Sequence, residues 1–218
     1  MAKIFERELK HLEQRMTALS ARVEENVQLA IKAVKTQDLP LAIRIIADDE
    51  AVDAEEVALE EECLKILALH QPVASDLRVV VSILKINNDL ERVGDCAVTI
   101  AESACRLCEA STVRMPDQLG VLAGAALDML KEALDAFVRL DGQGARQVCQ
   151  ADQNVDNAHR SVYEHVKTGM LCDSSSVDAA LHVLRISHAL ERVGDHATNI
   201  AEDVIYMVEG GIVRHRDV

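Results

Sequence analysis

Leu90-Glu-Arg-Val-Gly-Asp-Cys-Ala-Val-Thr-Ile-Ala-Glu102 recurs as Leu190-Glu-Arg-Val-Gly-Asp-His-Ala-Thr-Asn-Ile-Ala-Glu202, an offset of 100 residues. Ten of the thirteen positions are identical. Upstream, Asp49-x-x-Val52-Asp53 corresponds to Asp152-x-x-Val155-Asp156 at an offset of 103. A chain that repeats itself this way is built from two homologous units, the offsets differing by one short loop change. Both copies of the longer segment step apolar residues by three and four, the period of a helix. The fold is therefore read outward from this segment as helical in both halves.

The rest of the chain agrees. Leu9, Leu12, Met16, Leu19, Val23, Val27, Ala30 and Val34 mark a first helix over about 3–37. Asp38-Leu39-Pro40 breaks it, and Pro40 suits the first turn of a second helix reaching about Leu69. After His70-Gln71-Pro72-Val73-Ala74-Ser75, a third helix runs from about Leu77 to Glu109, with Ser75 or Asp76 as its expected cap. Ser111-Thr112 and Met115-Pro116 mark the mid-chain boundary. A fourth helix over about 117–140, a turn at Asp141-Gly142-Gln143-Gly144, a fifth helix to about Thr168, a polar loop at Cys172-Asp173-Ser174-Ser175-Ser176 and a sixth helix ending near Gly210-Gly211 complete the chain. The expectation is an all-α protein of two homologous antiparallel three-helix bundles in tandem, residues 1–115 and 116–218.

Composition narrows the function. Only 2% of residues are aromatic, with no Trp, and Gly and Pro number 9 and 3, which argues against β architectures. With 23 basic and 37 acidic residues the net charge is −14, the wrong sign for a nucleic-acid backbone binder. No apolar run approaches a membrane span of ~20 residues. The N-terminal MAKIFERELKHLEQR lacks the apolar core of a signal peptide, so a cytoplasmic chain with reduced cysteines is expected. Cys105-Arg-Leu-Cys108 has no second pair and reads as packing. No nucleophile constellation is visible, and an enzyme is not expected.

On a helical wheel with Glu91 at zero, Asp95 falls at ~40°, Glu102 at ~20° and Asn88 at ~60°. Ile86, Val93, Ala97, Ile100 and Ala104 lie between ~180° and ~240°. Acids thus line the side opposite an apolar seam, and the sixth helix repeats the pattern with His188, Glu191, Asp195, Asn199 and Glu202. Like charges at i, i+4 repel by a few tenths of a kcal/mol unless neutralised. Asp49 with Asp53 and Asp152 with Asp156 repeat the device on helices two and five. Where such helices pack side by side, four carboxylates share one patch, and a cation or raised pKa values must follow. Oxygen-rich patches take magnesium, calcium, manganese or iron, while His159, His188 and His196 would shift the second unit toward iron, zinc or nickel. Two other readings use the same residues. One is a helical adaptor whose acids bind nothing, with Arg92 and Arg192 neutralising the stripes. The other is a carboxylate-bridged di-iron protein, whose Glu-x-x-His signature occurs here only once, at Glu8 and His11.

The doubled Glu-Arg-Val-Gly-Asp segment, the connection Gln71-Pro72-Val73-Ala74-Ser75-Asp76-Leu77-Arg78 and the paired acid motifs resemble the PhoU family of phosphate-transport regulators. That resemblance implies metal clusters held by Asp49, Asp53, Glu91 and Asp95 in the first unit. In the second it implies Asp152, Asp156, Glu191 and Asp195, with Asn199, Glu102 and Glu202 as contributors. Thr99 and Cys96 stand where the second repeat has Asn199 and His196, so the two sites are not chemically identical. The resemblance further implies a homodimer and a negative regulator of phosphate uptake and of the phosphate-starvation regulon. Such a regulator links the transporter ATPase subunit PstB to the sensor histidine kinase PhoR, touching the membrane only through these partners.

Overall fold

A computed structural model describes residues 2–109, 115–172 and 177–211. Ser111, Thr112, the polar loop 173–176 and the C-terminal stretch with His215 lie outside the described residues. Six long helices follow in order: α1 (Ala2–Thr36), α2 (Leu39–His70), α3 (Ala74–Glu109), α4 (Asp117–Arg139), α5 (Gly142–Cys172) and α6 (Val177–Glu209).

The helix ends obey local chemistry. Asp38 caps α2, its side chain accepting from the Leu41 amide, with Pro40 in the first turn where a missing N–H costs nothing. Gln71 closes α2 in the left-handed region at φ 48°. Two boundaries differ from expectation. The third helix begins at Ala74, so Ser75 and Asp76 sit inside its first turn rather than capping it. The expected turn at 141–144 is instead the start of α5: Asp141 Oδ1 accepts from the amides of Gln143 and Gly144, each at 3.0 Å. One capping carboxylate suffices to begin a helix there, and the two glycines fall in its first turn.

The lateral order is α2–α3–α6–α5, a layer in which α3 and α6 pack most extensively; α1 lies on α2 and α3, and α4 on α5 and α6. Neighbours in the layer are antiparallel. Across α3 and α6 the contacts run Lys85–Asp203, Asp89–His196 and Glu102–Arg185, rising on one helix as they fall on the other. The core lies between the layer and α1 and α4. Leu12, Met16, Val23, Val27 and Ala30 of α1 are fully buried, as are Ile86, Val93 and Ile100 of α3 and Val193 and Ile200 of α6. Burial of each such large side chain contributes about 1.5–3 kcal/mol relative to exposure. Consequently the opposite, solvent side of α3 and α6 is free to carry charge. Among the described residues no helix is long and apolar enough to cross a membrane.

Candidate metal centre

Helix α2 carries acids on both edges, and the two edges are treated differently. On the α1 side each acid meets a cation. Arg15 reaches Glu55 and Glu62, His11 lies 3.1 Å from Glu62, and Arg22 forms a fork on Asp48. On the α3 side, Asp49 and Asp53 have no ion pair among the described residues. They face Glu91 and Asp95, which share one guanidinium: Arg92 stands 3.2 Å from each.

Electrostatics record this crowding. Burial raises the Asp49 pKa, and the charges of Asp53, Asp95 and Asp48 raise it further. Glu91 is raised by burial and by Asp95, Glu56 and Asp53, against a lowering from Arg92. Glu56 is raised by burial, Glu60 and Asp53. These mutual repulsions set Asp49 and Asp53 of α2 and Glu91 and Asp95 of α3 along the same α2–α3 groove. Gly94 of α3 faces α2 here: a Cβ there would stand at ordinary contact distance, 3.6 Å from Val52 and 3.7 Å from the Asp49 carboxylate.

The second unit repeats the groove between α5 and α6. Burial raises Asp195, and Glu191, Asp152 and Asp156 add to it against His196. Burial and Asp156 raise Asp152, opposed by a hydrogen bond from the Thr198 hydroxyl at 3.2 Å. Here imidazoles border the acids. His188 Nδ1 lies 3.3 Å from Glu191 Oε2 without hydrogen-bond geometry, leaving that buried oxygen without a donor. The ring of His159 is 6.2 Å from that of His188 and is anchored by a 2.9 Å contact with the Ser187 hydroxyl. The first unit has Glu56 in place of His159, held by Asn87 Nδ2 at 3.1 Å.

The eight paired-motif carboxylates therefore gather as two groups of four. The remaining expected contributors go elsewhere. Asn199 donates to Asp89 across the α3–α6 seam at 3.1 Å, and His196 Nδ1 meets the same oxygen at 2.8 Å. Glu102 pairs with Arg185 at 2.6 Å. Glu202 lines a cleft over the seam and adds to burial in raising the Cys149 thiol. Asp89 itself escaped the sequence reading, although at ~160° on the wheel it places a carboxylate on the apolar side, in one repeat only. Of the di-iron signature, Glu8 pairs with His70 and His11 with Glu62, so the two residues serve separate contacts.

Among the described residues no three His, Cys, Asp or Glu side chains converge as preformed metal ligands. The donor chemistry nevertheless fits a cation. Each groove offers four carboxylates with too few positive neighbours, and the second adds the donorless Glu191 oxygen and two imidazoles. A bound ion would supply positive charge to the groove, drawing α2 against α3 and α5 against α6.

Relatives and structural neighbours agree with this architecture. The family profile described as the PhoU domain matches twice, over residues 16–104 and 119–204. A phosphate-specific transport system accessory protein PhoU homolog from Pseudomonas putida is 39% identical, over 97% of this chain and 83% of its own length. The crystal structure of PhoU from Pseudomonas aeruginosa superposes with TM-score 0.92 at 38% identity, covering 95% of this chain and all of that one. The phosphate transport system regulatory protein PhoU from Streptococcus pneumoniae gives TM-score 0.88 at 32% identity, over 96% and 99% of the two chains. With the PhoU domain matched in both repeats and relatives of this identity covering nearly the whole chain, the chain is a member of the PhoU family.

Proposed function

We propose that the chain is a cytoplasmic accessory regulator of phosphate transport, a negative regulator of phosphate uptake and of the phosphate-starvation response. Its relatives are named for that transport system, and the fold offers long helical faces for protein contact rather than a reacting centre. In this reading a homodimer links the transporter ATPase subunit PstB to the sensor kinase PhoR, and it catalyses nothing itself.

Metal is part of the proposal. Asp49, Asp53, Glu91 and Asp95 would hold ions in one groove; Asp152, Asp156, Glu191 and Asp195 would hold them in the other. The observation that carries it is the contrast along α2: acids toward α1 are paired with cations, and acids toward α3 are not. The first groove suits magnesium, calcium or manganese. The second, bordered by His159 and His188, suits iron, zinc or nickel. The ions would fix helix register and so the surface offered to partners.

The test is affinity capture from phosphate-replete cells with the tagged full chain, probing for PstB and PhoR. Recovery of both supports the adaptor role. Recovery of neither reduces the proposal to a helical, metal-binding protein.

A further inference from the structure

Helix α2 stands at one edge of the four-helix layer and packs only on α1 and α3. Its buried side carries Ala42, Ile45, Val52, Leu59, Cys63 and Ile66. The opposite side, open to solvent, is apolar as well. With Ile43 at zero on a helical wheel, Ala47, Ala54, Val57, Leu64 and Ala68 all fall within ~60° of it, whereas the buried set centres near ~180°. Ile43, Val57 and Leu64 are 55%, 51% and 51% exposed. Charge enters this stripe only at Glu50, Glu61 and Lys65. Of the six described helices α2 is accordingly the least amphipathic. A helix that is apolar on both sides is ordinarily covered on both.

The duplication shows that the fold does not require this stripe. At the repeat offset of 103, α5 carries Arg146, Gln150, Asn157, Arg160, Lys167 and Leu171 where α2 carries Ile43, Ala47, Ala54, Val57, Leu64 and Ala68. The second unit keeps the acid motifs and the packing while its outer edge is polar and basic. Charge then says what would cover the first. Helix α2 holds nine acids against two basic residues, Arg44 and Lys65. Glu50 and Glu61 lie exposed within the stripe, and the exposed Asp53 and Glu60 run along its α3 side.

We infer that the outer face of α2 receives an amphipathic helix of a partner protein, one whose apolar ridge is flanked by lysine or arginine. The ridge packs on Ile43, Val57 and Leu64, with the alanines between them letting the two backbones approach. The flanking cations lie over Glu50, Asp53, Glu60 and Glu61. From Ile43 to Ala68 the stripe is about 38 Å long at 1.5 Å per residue, room for a partner helix of several turns. A second copy of α2 would crowd the Glu50 and Glu61 of both chains into one apolar seam, and an anionic lipid surface would be repelled by the same acids. The inference goes beyond the regulatory reading, holds whatever the partner's identity and does not depend on metal in the grooves.

The test is calorimetric titration of the full chain, with chelator present throughout, using a capped peptide of three Leu-Lys-Ala-Leu-Lys-Ala-Lys heptads. Binding is expected, and a peptide of the same composition with its leucines scattered around the helix should bind about tenfold more weakly. Val57→Ser/Leu64→Ser should lose about tenfold and Glu50→Gln/Glu61→Gln about threefold. Val121→Ser, at an exposed valine of α4, should change affinity less than about twofold. Should the double serine variant lose helical circular dichroism, Ile43→Ser carries the test, with about threefold loss expected. No binding, equal binding of the scattered peptide, or equal loss in Val121→Ser would overturn the inference. Tighter binding of the same heptads with glutamate in place of lysine would overturn the charge assignment. A dimer, seen by light scattering, that dissociates in Val57→Ser/Leu64→Ser would overturn the assignment to a partner and give the face to a second copy.

Discussion

The two repeat glycines, Gly94 and Gly194, should respond in opposite directions to the same substitution. Each is buried in mid-helix, where alanine is favoured over glycine by about 1 kcal/mol on backbone entropy. At Gly94 the new methyl would meet Val52 at 3.6 Å and Asp49 at 3.7 Å, ordinary contact distances. Gly94→Ala should therefore stabilise the protein by up to about 1 kcal/mol, a rise of roughly 2–4 °C in Tm at this chain length. At Gly194 the methyl would lie 3.0 Å from Val155 Cγ1 and 3.5 Å from two further atoms of that side chain. Valine is stiff about χ1 and cannot swing aside. Overpacking costs about 1–3 kcal/mol, so the net effect should be a loss of about 0–2 kcal/mol. Thermal and urea melts of both variants read the difference. In a Val155→Ala background the penalty should vanish, giving a coupling energy of about 1 kcal/mol or more. A Gly194→Ala variant as stable as Gly94→Ala, with no coupling to Val155, would refute the packing derived for α5 against α6.

Three further outcomes follow from burial and charge. Val93→Asp puts an unpaired charge at a fully buried seam position and should unfold the first unit, read as a large loss of helical circular dichroism. Asp49, Glu56, Glu91, Asp152 and Asp195 have folded pKa values above their ordinary 3.8 or 4.5, so they favour the native state at low pH and that contribution is lost as pH rises through the raised values. Asp48 and Glu62, lowered by their arginines and histidine, act in the opposite sense, helping at higher pH and failing as pH falls. Neutralising the groove acids with Asp49→Asn and Asp195→Asn should therefore flatten the decline of metal-free stability above about pH 4. A steeper decline would show that the grooves are not crowded. Finally, burial pushes the Cys63 thiol up to about 12 and those of Cys96 and Cys149 to about 11, so all three should resist thiol reagents at pH 8 until the chain is unfolded.

The helical class was legible in the sequence because periodicity reports it directly, and the same periodicity reports which face of a helix carries its acids. Leu12, Met16 and Val23 announce one buried face, and Asp49, Asp53, Glu91 and Asp95 stand on facing stripes as the wheel requires. What periodicity could not report is which helix lies against which across the repeats. Nothing in a single-helix pattern says that α3 meets α6, so Asn199 looked like a groove ligand when it is spent on Asp89. Glu102 was likewise read as a contributor to metal binding, although Arg185 of the other repeat claims it. The start of α5 was missed for a smaller reason. Asp-Gly-x-Gly carries turn residues, and only the amides converging on Asp141 reveal that the turn is a cap. Asp89 was overlooked because its partners, His196 and Asn199, come from another helix 107 and 110 residues away.

Elemental analysis of the chain purified without chelator, beside an Asp95→Ala/Asp195→Ala variant, tests the counter-cation requirement most directly. The account predicts about one equivalent or more of a divalent or trivalent ion in the parent chain. It predicts a clear fall in the variant at unchanged helical content, since neither aspartate touches the buried seam. A parent chain that carries no metal and takes none up when titrated, or a variant that binds as much as its parent, would contradict it.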